Sequence, residues 1–196
     1  MGLTLSWVAV SGIDKDEVLA RVGLEDSGDL AEFYQRRAQT CAELPNGWVL
    51  LACGETDDFT AADLAALSQG ARLLSACCDE TAMFSGASGW TDGVHAWAID
   101  HNPECEPRDL NIEGAAPPEL AAILAEARAA QEEADNDETP VDYLFDVPKD
   151  LVGELCGWRP DQDNEDWGEI EFTRLRRLGE ADAPPKRSWL ARIFGR

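Results

Sequence analysis

The chain has 196 residues and a formal charge of −23, a balance that repels nucleic acid and favours basic partners. Seven Trp and a 44% hydrophobic content exclude an acidic disordered chain, because Trp is seldom left fully exposed, and the length suffices for one well-buried core with appendages. No apolar stretch approaches the roughly 18 residues of a membrane span, and no basic segment followed by an apolar run opens the chain, so the expectation is a cytoplasmic protein without a leader.

Leu3 to Val10 is rich in strand formers. Ser11-Gly12 then leads to a marked helix start, where Asp14 is placed to cap the amide of Glu17, Glu17 to reach back, Ile13 to staple onto Val18, and Gly23 to close the helix. The polar stretch Glu25 to Thr40 reads as irregular or weakly helical. Leu44-Pro45-Asn46-Gly47 turns the chain into Trp48 to Cys53, an apolar run that reads as a buried strand. Thr60 and Asp63 repeat the capping pattern ahead of Leu64 and Leu67, with Gly70 closing that helix, and a strand follows from Arg72 to Cys78.

Thr81 to Ser85 and Val94 to Asp100 read as strands flanking the small-residue segment Ser85 to Gly93, with a tight turn at Asp92-Gly93. Trp90, Val94 and Trp97 do not share one parity, which predicts a sheet covered on both faces. Pro117-Pro118 introduces a helix with an apolar stripe of Leu120, Ile123, Leu124 and Ala127, and the acidic run Glu132 to Glu138 beyond it reads as a solvated linker. Pro148 opens a further helix through Leu151, Val152 and Leu155 to Gly157. A second acidic segment, Asp161 to Glu171, precedes a strand from Phe172 to Leu178.

The fold class expected is therefore α+β: a single domain over residues 1–178, with a mainly antiparallel or mixed sheet packed against several short helices. A Pro-containing linker over 179–185 leads to a basic amphipathic tail over 186–196. That tail carries Lys186, Arg187, Arg192 and Arg196 and no acid, so the body is more acidic than the total. If Ser188 caps a helix, Trp189, Leu190, Ile193 and Phe194 form one apolar stripe. Four basic groups near an anionic surface contribute about 1 kcal/mol each. Ordering an isolated helix shorter than ~12 residues offsets much of that, so any membrane contact through the tail is weak and salt-sensitive. Docking onto the acidic body, onto a second copy, or into a partner's groove are the other readings.

Several residue groups are similar to a family of small uncharacterised bacterial α+β proteins with no assigned activity. They are Ser6-Trp7-Val8-Ala9-Val10-x-Gly12 followed by Val18-Leu19 and Gly23-Leu24, Leu44-Pro45-x-Gly47-Trp48, Ser88-x-Trp90-x-Asp92-Gly93 with Trp97, and Val141-Asp142-Tyr143-x-Phe145-Asp146-x-Pro148. The resemblance covers most of residues 3–160. It implies an α+β fold and a bacterial origin and adds no mechanism. A bacterial origin also disfavours reading Gly2 to Ser6 as an N-myristoylation signal.

Candidate chemistry is sparse. Ser85, Ser88, Asp92 and His95 invite a hydrolase reading, with Ser88, Asp92 and His95 as the candidate polar cluster, but Trp90 stands where a G-x-S-x-G elbow needs its second Gly, and a glycine-rich turn is the plainer reading. His95 and His101 are six apart, which would place both on one face of a continuous strand some 20 Å apart, too far to share a metal without a bend. Asp161 to Asp166 begins like a calcium loop, but Asp166 and Phe172 stand where Gly and a bidentate Glu are required. The six cysteines lack a C-x-x-C pair and read as reduced, mostly buried side chains, with Cys77 and Cys78 on opposite faces of their strand. Phosphate-binding glycine motifs are missing from the sequence. No catalytic residue, metal or cofactor is assigned. The leading expectation is a non-catalytic protein-interaction module with an acidic surface for a basic protein, one form of which is an immunity-type inhibitor of a basic toxin. The alternatives are a hydrolase or metal-dependent enzyme around His95 and a weakly membrane-associated protein.

Overall fold

Thr4–Ser11 (β1) is buried on both of its faces, which fixes it at the centre of the architecture. Leu5, Trp7 and Ala9 point to one side and Val8 and Val10 to the other, each set joining a separate apolar cluster. In this computed structural model, which describes residues 2, 4–34, 38–53, 59–104, 110–134, 141–162 and 166–179, β1 pairs antiparallel with Val49–Cys53 (β4) and Arg72–Asp79 (β5).

The sheet extends outward from that centre. On one side lie Gln39–Glu43 (β3), then Phe172–Arg177 (β9), then Leu24–Ala31 (β2) at the edge; on the other lie Phe84–Thr91 (β6), Val94–His101 (β7) and Asn111–Gly114 (β8). The order is β2-β9-β3-β4-β1-β5-β6-β7-β8, nine strands with every pairing antiparallel. Two short helices, Lys15–Arg21 (α1) and Ala61–Leu67 (α2), bring Val18, Leu19, Leu64 and Leu67 onto one face. Val147–Cys156 (α4) lays Leu151 and Val152 on the opposite face, and Leu120–Ala134 (α3) packs outside it. The architecture is thus α+β with helices over both faces of one sheet. Among the described residues, no helix is long and apolar enough to cross a membrane.

Most helix ends follow their sequence signals. Asp14 accepts from Glu17 N at 2.9 Å, and Gly23 and Gly157 adopt φ of 68° and 79° after their helices. Glu17 does not complete a capping box; its carboxylate takes Arg21 Nε at 2.9 Å. Thr60 and Asp63 cap each other in full.

Three expectations are corrected. Residues 25–31 are a strand, β2, because β9 supplies its pairing: Ser27 Oγ donates to Arg174 O at 2.8 Å and Arg176 Nε to Glu25 at 2.9 Å. The register shifts between Asp26 and Leu30, where Asp26 accepts from Gly28 N at 2.8 Å. Residues 85–91 are no glycine-rich turn but most of β6, while 80–83 form the turn before it. Gly89 stands there because the indole of Trp97 lies across it. Finally, α3 continues through Glu132 and Glu133 to Ala134, so the helix claims the start of the acidic run, and residues 135–138 lie outside the described residues.

Candidate functional site

A β-bulge separates the two histidines. Gly89 pairs with Trp97 but Trp90 pairs with His95, so Ala96 is the extra residue and the strand's parity inverts across it. His95 therefore shares a face with Trp90, its ring 4.8 Å from that indole, while His101 shares the opposite face with Trp97 and Ile99. This overturns the one-face geometry that the even spacing implied. Among the described residues, no three His, Cys, Asp or Glu side chains gather as metal ligands would.

The predicted polar cluster divides into structural roles. Ser88 Oγ lies 2.7 Å from Ser75 Oγ and accepts from Trp90 Nε1 at 2.9 Å, tying β5 to β6. Asp92 is the first residue of the β6–β7 turn, with φ of 51° ahead of Gly93 at 78°, and its N–H donates to Ala71 O at 3.2 Å.

A different serine, histidine and aspartate come together on the α4 face. Ser85 and His101 are cross-strand partners, both fully buried, and His101 Nε2 lies 2.8 Å from Asp142 Oδ2. The chemistry of such a set requires Ser Oγ to meet substrate. Here Ser85 instead donates to Phe145 O at 2.7 Å, and Asp142 Oδ1 accepts from Leu144 N and Phe145 N at 3.1 and 3.3 Å. The three side chains thus fasten the 3-10 turn Leu144–Asp146, and with it the start of α4, to β6 and β7. His101 was legible as a histidine near a strand end; its partner lies 41 residues away in sequence.

Open clefts occur at the other end of the sheet, around β2 and β9. On the α4 face a cleft of about 340 Å³ is floored by Phe33, Trp158 and Phe172. Phe33 stands edge-on to both other rings, with centroids 4.8 and 5.2 Å away. Glu32 and Glu169 also line it, and no described cation pairs with either. Arg159, on the same wall, is already committed: it donates twice to Asp161 at 3.1 and 2.9 Å and pairs with Asp150. Gly153 permits this, since a Cβ there would overlap the Arg159 stem.

A second cleft, of about 380 Å³, opens on the α1 face and shares Glu169 and Ile170 with the first. Leu30, which is 71% exposed, lines it together with Trp167, Glu43 and Glu171. Its cation, Lys15, is held by Asp26 at 3.2 Å and Glu43 at 3.4 Å. Burial alone would raise the Asp26 pKa, but the Gly28 N–H, the Thr173 hydroxyl and Lys15 outweigh it and hold the carboxyl below its ordinary value. The neighbouring Cys41 thiol, 3.3 Å from Thr173 Oγ1, is pushed up by burial and so stays protonated at neutral pH.

Cys41, Cys53, Cys77, Cys78 and Cys156 are thiols, with Cys77 and Cys78 on opposite sides of β5; Cys105 lies outside the described residues. So do Lys186, Arg187, Trp189, Leu190, Arg192, Ile193, Phe194 and Arg196 of the tail, and most of the linker. Comparison with protein-family models, curated proteins and solved structures finds no match to this chain.

Proposed function

We propose that this protein is a non-catalytic interaction module that binds a basic protein through the aromatic cleft on its α4 face. The observation that carries the reading is the Phe33–Trp158–Phe172 floor with Glu32 and Glu169 beside it, and Arg159, the one cation among its described lining residues, neutralised by two aspartates. An Arg or Lys side chain of a partner would lie against Phe33, the half-buried ring of the three, and meet the carboxylates, combining an aromatic contact with charge steering. The burial of Ser85 and His101, and their use in fastening α4, favour this reading over a hydrolase.

The test is an affinity capture from the source cell's lysate with the full chain and with a Glu32→Lys variant, each at low and high salt. A basic protein retained by the wild type, released by salt and lost from the variant supports the reading. Equal capture by both forms, or no specific capture by either, overturns it.

A further inference from the structure

We infer that the tail, residues 186–196, docks back onto its own body in the α1-face cleft bounded by Leu30, Trp167 and Ile170. This goes beyond the partner reading, since it concerns the other cleft and requires no second protein. Four observations converge on it. The first is reach: the cleft lies beside Thr173, six residues back along β9 from Gly179, which is about 20 Å at ~3.3 Å per residue. The seven steps from Gly179 to Lys186 span up to about 23 Å when extended, and Pro184-Pro185 favours extension. The second is direction. Gly179 has φ of 79°, a left-handed backbone suited to turning the chain, and Leu178 N donates to Gly23 O, so the described chain ends beside the C-terminal end of α1, at whose other end Lys15 lines the cleft.

The third is charge. The tail has four cations and no acid, and no described cation pairs with Glu169 or Glu171 on the cleft wall. The fourth is shape: Leu30, Trp167 and Ile170 form an apolar wall, and Leu30 is left 71% exposed on it, facing the need of Trp189, Leu190, Ile193 and Phe194 for cover. Tethering through so short a linker sets an effective concentration on the order of millimolar, enough to hold a contact that would be weak between separate molecules.

The experiment uses the full chain, labelled with nitrogen-15, as the wild type and as an Arg192→Glu/Arg196→Glu variant. Amide shifts should differ at Leu30 and across Trp167–Thr173, together with the Trp167 indole N–H, and raising salt from about 0.02 to about 0.5 M should move the wild-type spectrum toward the variant. Adding Glu171→Lys to Arg192→Glu should restore the wild-type shifts at the cleft, which a general loss of stability would not do. Differences confined to residues 180–196 would overturn the inference. A mass that rises with concentration in the wild type and not in the variant would assign the tail to a second copy instead. Binding to anionic vesicles with unchanged cleft shifts would assign it to a lipid surface, and both results count against docking on the tail's own body. Because, of these two clefts, Glu171 lines this one and Glu32 the other, loss of tail docking and loss of partner binding are read separately.

Discussion

Two glycines three residues apart on β6 should respond oppositely to the same methyl group. A Cβ built on Gly89 falls 2.1 Å from Trp97 Nε1 and 2.4 Å from Cε2, against an indole that is only 5% exposed. Contacts that short require the whole ring to leave its place. A Cβ on Gly86 meets Cys77 Sγ and Phe84 Cζ at 3.5 Å, ordinary van der Waals distances. Overpacking a core costs about 1–3 kcal/mol, and evicting a large aromatic from its site about 3–5 kcal/mol when nothing refills it. Gly89→Ala should therefore lose about 2–4 kcal/mol. Gly86→Ala should stay within about 1 kcal/mol of wild type, helped by the reduced freedom of its unfolded chain. Urea unfolding of both variants, with near-UV circular dichroism to follow Trp97, measures the difference. At a common m-value the Gly89 midpoint should fall well below the Gly86 midpoint. A double variant with Trp97→Leu should recover part of the Gly89 loss as a coupling energy. Equal midpoints for the two alanines would refute the claim that Trp97 dictates a glycine at position 89.

Ser85→Ala should cost about 1 kcal/mol or somewhat more, since it deletes a buried donor to Phe145 O, and hydrogen exchange should rise first in the Leu144–Asp146 turn and the start of α4. Burial raises the Cys78 and Cys156 thiols from 9.0 to about 11, so the native state holds protons that the unfolded chain releases. Stability should accordingly fall as pH rises from about 9 to about 11, and Cys78→Ala should flatten that slope in a denaturation series. Asp26 has the opposite sign. Its carboxyl is held below 3.8, so its contribution is present at neutral pH and is lost as pH drops below that value; Asp26→Asn should remove this part of the acid dependence. Thr60→Ala breaks the reciprocal cap on α2 and should cost about 1 kcal/mol by thermal melting.

The elements legible in the sequence were those whose signals are local. Asp14, Thr60, Pro148 and Gly157 mark helix ends through contacts within a turn or two, and β4 announces itself as a continuous apolar run. β2 had no such signal, because Leu-Glu-Asp-Ser-Gly-Asp-Leu-Ala is strand only by virtue of a partner some 150 residues away. Missing β2 also hid both clefts, whose walls need it. The aromatic floor joins Phe33, Trp158 and Phe172, which no window of sequence brings together. The histidine geometry failed for a single residue: the bulge at Ala96 inverts the parity that counting assumes, and nothing in Val-His-Ala-Trp announces it.

The place of β9 in the sheet has a consequence for how the chain is made. The ninth strand in sequence lies between the second and third, so during synthesis the ribosome releases β2 and β3 long before the strand that belongs between them. Until residue 177 emerges, β3 has an open edge in the middle of what will become a continuous sheet, and β2 has its contact with α1 but no strand to pair with. A nascent chain stalled short of Phe172 would expose those edges to other chains. The long-range closure of β9 is a step that an interrupted or slowly translated message leaves undone, and one at which chaperones would have the most to protect.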